Sequence, residues 1–430
     1  MDPGNGHGPA RLALIGAGQR GTEAYGAISL ARPDVARFVA VAEPNAPRRG
    51  RFAAAHEIGP RAAFARWEDL LDVVGAAGVI DGIVIATPDR SHVDPTVAAL
   101  ARNLHVLLEK PIAPTPEGVE AIARAAESSA GALTVAHPLR YTEFFATIAA
   151  LLADGAIGRL VEIDHLENVS WWHFAHSFVR GNWRRSDLAS PLILAKACHD
   201  LDVVRWLAAA PCTSVASFGS LSHFRPEEAP TGAPDHCLDG CPVAESCPFY
   251  APRFYLPLVS RGGWPVSVVT SEPGEAALLE ALRTGPYGRC VYRADNDVAD
   301  HQGTVLEFAN GVVATLTVTA FTAENTRSVK LMGTRGEIRG HMERGEIEVR
   351  RFVDGRGMDV PPAETITVET GSGHAGGDVR LVEAFASRVV AARAGVPGGE
   401  SPTSLAVSLD SHRMAFAAER SRLRHVVEHI

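Results

Sequence analysis

The sequence predicts an α/β protein with two domains, a doubly wound parallel sheet followed by an α+β domain with a large, mostly antiparallel sheet. Two observations carry this prediction. Before residue 140, short apolar runs alternate with helical segments, whereas beyond it strand-like runs follow one another with turn residues between them. The chain has 430 residues, 46% of them hydrophobic and 21% charged, which is enough for two cores. We expect a flexible tail over residues 1–10, a first domain over 11–138 and a second over 139–430.

Each strand of the first domain is predicted by an apolar run that ends at a turn or at a polar residue. Helical segments separate these runs, and parallel strands need such long crossover connections. Alternation of this kind therefore predicts a parallel sheet with helices on its faces. The runs cover residues 11–15, 38–42, 82–86, 106–108 and 133–136.

The second domain is predicted to begin with a helix over residues 143–153 and to continue mainly with strands. The pair Asn310-Gly311 and the segment Gly333-Thr334-Arg335-Gly336 are hairpin signals. We expect helices on one face of the resulting antiparallel sheet and a second subunit on the other, in a homodimer or homotetramer. The strand-like runs cover residues 160–168, 304–308, 312–319, 328–332 and 346–352, and two late helices cover 379–393 and 403–420.

A glycine-rich turn follows the first predicted strand and opens a helical segment. Gly16, Gly18 and Gly21 have the spacing G-x-G-x-x-G. In a strand-turn-helix context, the first glycine permits the tight turn, the second lets a pyrophosphate approach the backbone, and the third lets the helix pack on the strand. These three residues predict a Rossmann domain that binds a dinucleotide.

Glu43, at the end of the second predicted strand, indicates which dinucleotide is bound. A carboxylate in this place accepts hydrogen bonds from the ribose hydroxyls and repels a 2′-phosphate. The sequence therefore favours NAD over NADP. Arg48 and Arg49 weaken this preference, because an arginine there can bind the extra phosphate.

Two further motifs follow the later strands of the first domain: Ala86-Thr87-Pro88 with His92, and Glu109-Lys110-Pro111. Through these motifs and the glycine turn, the sequence resembles the Gfo/Idh/MocA family of NAD(P)-dependent sugar oxidoreductases, and the likeness covers nearly the whole chain. The resemblance implies that Thr87, His92, Glu109 and Lys110 contact the cofactor. It also implies that Lys110 lies beside the nicotinamide and hydrogen-bonds the reacting hydroxyl of a sugar or polyol.

The family's second motif is a histidine with an aspartate four residues before it and another three after it. His199 and Asp202 match this pattern, but Ala195 stands where the first aspartate is expected, and Lys196 is new beside it. On a continuous helix Lys196, His199 and Asp200 share one face, so they could converge on a ligand. We expect His199 to take the hydroxyl proton, Lys196 to assist catalysis, and Asp200 and Asp202 to bind substrate. The alternative is that His199 is packed and Lys196 solvated.

Aromatic and cationic side chains are unusually dense over residues 170–185. Tryptophan faces cover the apolar faces of sugar rings, and arginines donate to anionic groups. The segment is therefore predicted to bind substrate, with an anionic sugar as one candidate, and an interface loop in an oligomer is the alternative. The candidate residues are Trp172, His176, Arg180, Trp183 and Arg184.

Four cysteines occupy a region between about residues 225 and 292 that is rich in loop-forming residues. Cys237, Cys241, Cys247 and Cys290 offer the number of thiolates that a closed tetrahedral zinc site requires. Because the surrounding residues have little apolar content, the insertion is expected to need such a staple to be ordered. A structural zinc is the first hypothesis, and free thiols, a disulfide or an iron-sulfur cluster are the others. The cluster places the chain in a subgroup of the family it resembles.

This combination of motifs is compatible with two activities. One is an NAD-dependent dehydrogenase that oxidises a sugar or polyol. The other is an NAD-dependent glycosidase of the same fold, in which transient oxidation, elimination and hydride return leave the cofactor unchanged. The dehydrogenase is the main prediction.

The charge pattern bounds the partners and the compartment. A net charge of −9 without a basic stripe argues against nucleic acid, and no apolar run is long enough to cross a membrane. The start of the chain lacks the features of a signal peptide. We therefore expect a cytoplasmic protein with a small-molecule sugar or glycoside as its partner.

Overall fold

The computed structural model describes residues 8–74, 79–371 and 373–430, so most of the predicted tail over residues 1–10 lies outside the described residues. The chain forms two compact units. The first comprises Met1–Ala150 and Val368–Arg413, and the second comprises Leu151–Thr367 and Met414–Ile430.

The first unit is built on a six-stranded parallel sheet. Its strand order, β3-β2-β1-β4-β5-β6, is doubly wound, as predicted. The strands are β1 (Ala10–Ile15), β2 (Ala36–Ala42), β3 (Ala63–Phe64), β4 (Gly82–Ile85), β5 (His105–Leu108) and β6 (Leu133–Val135).

The second unit is built on a nine-stranded sheet in which the only parallel pair among the described strands is β7 with β10. This confirms the prediction of a large, mostly antiparallel sheet. The hairpins β9–β10 and β11–β12 turn at the two predicted glycine-containing turns. The strands are β7 (Leu160–Ser170), β8 (Cys212–Ser220), β9 (His301–Phe308), β10 (Val313–Thr322), β11 (Thr326–Gly333), β12 (Gly336–His341), β13 (Glu346–Arg351), β14 (Glu364–Thr367) and β15 (Glu428–His429).

A π-helical turn, Arg20–Gly26, lies between the glycine turn and the first α-helix. The α-helices are numbered along the whole chain. They are α1 (Ala27–Ala31), α2 (Ala46–Ala55), α3 (Trp67–Val74), α4 (Val93–Leu100), α5 (Pro116–Glu127), α6 (Glu143–Ala153), α7 (Trp171–Phe174), α8 (Leu192–Ala195), α9 (Cys198–Ala208), α10 (Ala251–Tyr255), α11 (Val266–Val269), α12 (Glu275–Thr284), α13 (Gly377–Arg393) and α14 (Leu405–Arg424).

The division into units differs from the predicted domains because α13 belongs to the first unit. Its apolar stripe, which includes Leu381 and Phe385, is buried in the same core cluster as Leu12 and Leu14 of β1. A helix covers one face of a parallel sheet in this way to bury its apolar side. The sequence did not show this, because the helix is separated from β1 by more than 360 residues of chain.

The cysteine-rich insertion has a core of its own. Tyr255, Leu278 and Leu282 are fully buried and pack with Tyr287 and the buried Cys237. The expectation that this region has little apolar content was therefore wrong, because apolar side chains of α10 and α12 contribute a packed core. Within the part of the chain that the structure describes, no helix combines the length and the apolar character needed to cross a membrane.

Candidate active site

In the first unit, the functional motifs gather at one edge of the sheet. β1 lies next to β4, and β4 next to β5, and all three strands run in parallel. Their carboxyl ends therefore meet at the same edge, which is where α/β sheets bind ligands. Gly16 follows β1, Thr87 follows β4, and Lys110 follows β5.

The three turn glycines are required for different reasons. A Cβ at Gly16 would lie 2.7 Å from the carbonyl oxygen of Ala86, and φ is +94° there. A Cβ at Gly21 would lie 2.1 Å from the carbonyl oxygen of Gly16. At Gly18 a Cβ would contact no protein atom within 4 Å. The protein's own packing thus explains the first and third glycines, whereas no described protein atom accounts for the second.

Glu43 is buried at the end of β2 and is fixed by backbone groups. One carboxylate oxygen accepts a hydrogen bond from the amide of Ala17 in the glycine turn, at 2.9 Å, and the other accepts one from Asn45, at 2.9 Å. Arg49 donates to the backbone carbonyl of Glu43 at 2.6 Å. These contacts place a fixed carboxylate beside the glycine turn and direct Arg49 to the backbone, as a selective NAD site requires.

Glu109, directly before Lys110, lies in a buried charge cluster. Arg20 of the glycine-turn region donates to it at 2.6 Å, and the hydroxyl of Tyr25 does so at 2.6 Å. Arg20 also pairs with Asp378 at 2.8 Å. Burial alone would raise the pKa of Glu109, but Arg20 and Tyr25 outweigh it and hold that pKa below its ordinary value. A fixed, charged Glu109 therefore anchors the strand end from which Lys110 projects.

His92 and Thr87 contact the backbone of this edge. The two ring nitrogens of His92 lie 2.7 Å from the carbonyl oxygen of Pro111 and 2.9 Å from that of Thr87. The Thr87 hydroxyl donates to the carbonyl of Ser91 at 3.0 Å. The ring of His92 thus joins the end of β4 to the segment that carries Lys110, and its predicted cofactor contact stays a prediction.

In the second unit, Lys196 and His199 do not share a continuous helix. α8 ends at Ala195 and α9 begins at Cys198, with Lys196 and Ala197 between them. The expectation that Lys196, His199 and Asp200 share one helical face was therefore wrong. His199 is buried in the first turn of α9, and Asp202 is buried one turn later. Their predicted roles stay predictions.

Asp200, which the sequence predicts to bind substrate, has its carboxylate in a fully buried network of protein side chains. His165 of β7 approaches it at 2.8 Å, and Arg327 of β11 donates to it at 2.8 Å. Although burial favours the neutral acid, Arg327 and His165 hold the pKa of Asp200 well below its ordinary value. Arg327 also pairs with Glu167 of β7 at 2.7 Å, and the amine of Lys196 lies 3.0 Å from the other oxygen of Glu167.

Most of the aromatic and cationic residues predicted to bind sugar are used in packing instead. Trp172 stacks on Phe254 of the insertion, with ring centroids 5.4 Å apart. His176 stacks on Tyr287, at 4.9 Å, and burial lowers its pKa to about 3. Arg184 pairs with Asp295 at 2.8 Å.

The remaining residues of this segment are also held by protein atoms. Trp183 lies against Phe178, with ring centroids 6.1 Å apart. Arg180 is buried and donates to the backbone carbonyls of Arg289 and Phe249, each at 2.7 Å. The segment thus fastens the insertion to the second unit, a role that its density of aromatic residues did not reveal.

The four cysteines line a common cavity next to Arg180, whose guanidinium lies 3.6 Å from the sulfur of Cys237. All four, Cys237, Cys241, Cys247 and Cys290, are free thiols. Burial raises the pKa of Cys247 and Cys290. Over residues 8–74, 79–371 and 373–430, no group of three or more His, Cys, Asp or Glu side chains is arranged to hold a metal ion. The predicted structural zinc is therefore not supported.

The sequence reasoning missed several residues that organise both regions. Glu167 carried a usable signal, because a charged residue at an inward position of β7, between Ile163 and the buried Val169, needs a partner. Arg20 lay inside the glycine turn and could have been singled out. Arg327 and Asp378 had no local signal, since their partners are distant in the sequence.

Comparison with known proteins agrees with this geometry. A family profile described as "Oxidoreductase family, NAD-binding Rossmann fold" matches residues 10–137, and one described as "Oxidoreductase family, C-terminal alpha/beta domain" matches residues 149–400. YteT of Bacillus subtilis, an oxidoreductase by name, is 26% identical over 328 residues, 74% of each chain. The inositol 2-dehydrogenase of Leifsonia xyli is 31% identical over 214 residues, which cover 48% of this chain and 55% of that enzyme.

Solved structures show the same fold over the whole length. Levoglucosan dehydrogenase in complex with NADH and levoglucosan has a TM-score of 0.71 at 18% identity, covering 98% of this chain and 99% of that one. An inositol dehydrogenase homologue from Azotobacter vinelandii, complexed with NADH and myo-inositol, has a TM-score of 0.69 at 15% identity, covering 98% of each chain. Since the two family profiles match both halves of the sequence, the chain belongs to the Gfo/Idh/MocA oxidoreductase family.

Proposed function

We propose that the protein is an NAD-dependent oxidoreductase that oxidises a hydroxyl of a neutral sugar or polyol. The observation that carries this proposal is the position of Lys110 directly after β5, at the sheet edge where the glycine turn and Glu43 also lie. The relatives named as inositol 2-dehydrogenase support the substrate class. A glycosidase is not favoured, because relatives named as inositol 2-dehydrogenase and levoglucosan dehydrogenase are dehydrogenases.

The residues of the first unit fit NAD. The backbone at Gly18 is unobstructed by protein atoms, and the Glu43 carboxylate is fixed beside the turn by two amides. When bound, NAD supplies the acceptor for the hydride that leaves the carbon bearing the hydroxyl. The backbone around Gly18 would hold the pyrophosphate, and Glu43 would hold the adenosine ribose.

The chemistry that remains for side chains is the handling of the hydroxyl proton. Lys110, an ammonium on a strand end fixed by Glu109, donates to the reacting oxygen and stabilises the charge that develops on it. The resemblance of the His199 segment to the family motif supports His199 as the proton acceptor, since an imidazole is suited to proton transfer near neutral pH. The products are a carbonyl compound, NADH and one proton.

The test is to incubate the purified protein with NAD and a panel of neutral sugars, inositols and aryl glycosides, and to follow NADH absorbance and aglycone release together. We expect NADH to form with at least one neutral polyol. Aglycone release without net NADH would contradict the proposal and restore the glycosidase alternative.

We also propose that the outward face of the nine-stranded sheet pairs with a second copy of the chain, giving a homodimer or homotetramer. Phe218, Val305 and Val313 of three adjacent strands are exposed on this face, with exposed fractions of 63%, 47% and 37%. Light scattering should give at least twice the monomer mass. The variant Phe218→Lys should lower that mass, and a wild-type monomer would contradict the proposal.

A further inference from the structure

Glu167 is a buried charged residue on the inward face of β7, and its principal neighbours are cations. Its side chain is 2% exposed, and the amine of Lys196 lies 3.0 Å from one of its oxygens. Lys196 itself is 17% exposed. Because Lys196 lies between two short helices, the regular spacing of a helix does not fix its position. The ion pair with Glu167 fixes the position of the Lys196 amine.

Behind this pair lie further paired charges. Arg327 contacts Glu167 at 2.7 Å and Asp200 at 2.8 Å, and His165 supports Asp200 at 2.8 Å. Glu343 is a third carboxylate of this region and accepts a hydrogen bond from the backbone amide of Arg327 at 2.7 Å. Two permanent cations, Lys196 and Arg327, thus lie among these carboxylates. Buried charges persist in proteins when they are paired in this way, and removal of one partner leaves the other uncompensated.

His173 adds no positive charge to the region. Burial is the main reason that its pKa lies well below the ordinary value, and the neighbouring charge of Lys196 lowers it further. The histidine is therefore neutral near pH 7. Its Nδ1 lies 2.9 Å from the side-chain oxygen of Asn325.

We infer that Glu167 is a positioning residue that holds Lys196 as a charge-compensated ammonium, so that Lys196 donates a hydrogen bond to an uncharged hydroxyl and the site discriminates against sugar acids. This inference rests on the proposed function. The carboxylate of Glu167, 3.0 Å from the amine of Lys196, offsets the charge of that ammonium. A substrate carboxylate bound by Lys196 would lie close to the buried carboxylate of Glu167, and like charges repel strongly where water is excluded.

The wild type gives the first test. Glucose with glucuronate, and galactose with galacturonate, differ in charge at one carbon. Each is measured as a substrate and as an inhibitor that competes with whichever neutral polyol of the panel reacts. We expect kcat/KM, or the affinity of inhibition, to be at least about tenfold lower for the acids. Equal or better use of the acids would overturn the inference.

The variant Glu167→Gln gives the second test, with Glu162→Gln on the opposite face of β7 as the matched control. Loss of the carboxylate leaves the charge of Lys196 uncompensated by Glu167. We expect the ratio of acid to neutral kcat/KM to rise about tenfold and kcat for the neutral substrate to fall about tenfold or more. Thermal melting shows whether each variant is folded.

A double-mutant cycle separates positioning from general destabilisation. In the Lys196→Met background, Glu167→Gln should change the acid-to-neutral ratio by less than about twofold, because Glu167 acts through Lys196. The inference would be overturned if Glu167→Gln changed the acid-to-neutral ratio tenfold in both backgrounds, or in neither. A poorly folded variant does not remove the test, because the ratio for the wild type is measured independently. Wild type that forms no NADH with any polyol would instead overturn the proposed function, and the inference with it.

Discussion

The two units hold their functional residues by different means. In the first unit, Gly16, Gly21 and the strand ends define the site through backbone geometry, and Glu43 is fixed by two amide groups. In the second unit, Glu167 and Asp200 are fixed by side chains from another strand and from the segment between two helices. An added Cβ should therefore disrupt the backbone-defined site of the first unit, whereas removal of one charge should disrupt the side-chain network of the second unit.

The largest effect is expected in the glycine turn of the first unit, where alanine substitutions at Gly21 and Gly18 should have different consequences. Gly21→Ala places a Cβ 2.1 Å from the carbonyl oxygen of Gly16, so we expect a loss of about 4–5 kcal/mol in the free energy of unfolding. Gly18→Ala meets no protein atom within 4 Å. It should change stability by less than about 0.5 kcal/mol while weakening NAD binding. Chemical denaturation and NAD titration by fluorescence measure the two effects. A destabilised Gly18→Ala with unchanged NAD affinity would refute the assignment.

The network of the second unit is broken by Arg327→Leu, which leaves Glu167 and Asp200 buried without their shared cation. We expect a loss of about 3–5 kcal/mol in unfolding free energy. The control is Arg339→Leu, whose ion pair with Glu337 is on the surface. It should cost less than about 1 kcal/mol. Similar losses in the two variants would mean that the network contributes no more than a surface pair.

Lys110→Ala sharpens the comparison by removing a side chain that the first unit presents but does not need for folding. Turnover should fall by about 10²–10⁴-fold, because the reacting oxygen loses its donor. NAD affinity should stay within about threefold of wild type, since the glycine turn and Glu43 are untouched. Steady-state kinetics and NAD titration test both statements together. Normal turnover would place the donor elsewhere.

The smallest expected effect is the acid dependence of Asp200→Asn. Since the pKa of Asp200 is depressed in the folded protein, its ion pairs stabilise the fold at pH values above the ordinary carboxyl pKa of about 4 and are lost as the pH falls below it. The melting temperatures of wild type and variant should therefore differ at pH 7, and the difference should shrink progressively as the pH falls below about 4 toward the depressed pKa of Asp200. Asp34→Asn, at an exposed ion pair, should show little difference at either pH. A constant gap for Asp200→Asn would contradict this account.

The same contrast explains what the sequence could predict. The parallel sheet, the glycine turn, Glu43 and Lys110 depend on local order along the chain, so motif spacing located them. The placement of α13 in the first unit and the pairing of Arg327 with Asp200 depend on contacts across 100 residues or more, which no local pattern records. The density of Trp172, His176 and Arg180 indicated an important segment. It could not show whether those side chains face a substrate or the insertion.

The cysteines illustrate the same limit. Their spacing correctly suggested a common location, since Cys237 and Cys290 line one cavity although a long loop separates them. Ligand geometry depends on side-chain directions that spacing does not set. The apolar core around Tyr255 and Leu278 was likewise not evident from the loop-forming residues around the cysteines.

The most direct test of the central claim follows the hydrogen itself. The protein is incubated with NAD and a neutral polyol, taken from the reactive members of the panel, that carries deuterium on the carbon of the oxidised hydroxyl. Mass spectrometry of the recovered cofactor should show one deuterium in each NADH formed, and turnover should be slower than with the undeuterated substrate if hydride transfer limits the rate. Deuterium that remains in the sugar product or appears in water, with no labelled NADH, would contradict an oxidoreductase that passes hydride from polyol to NAD.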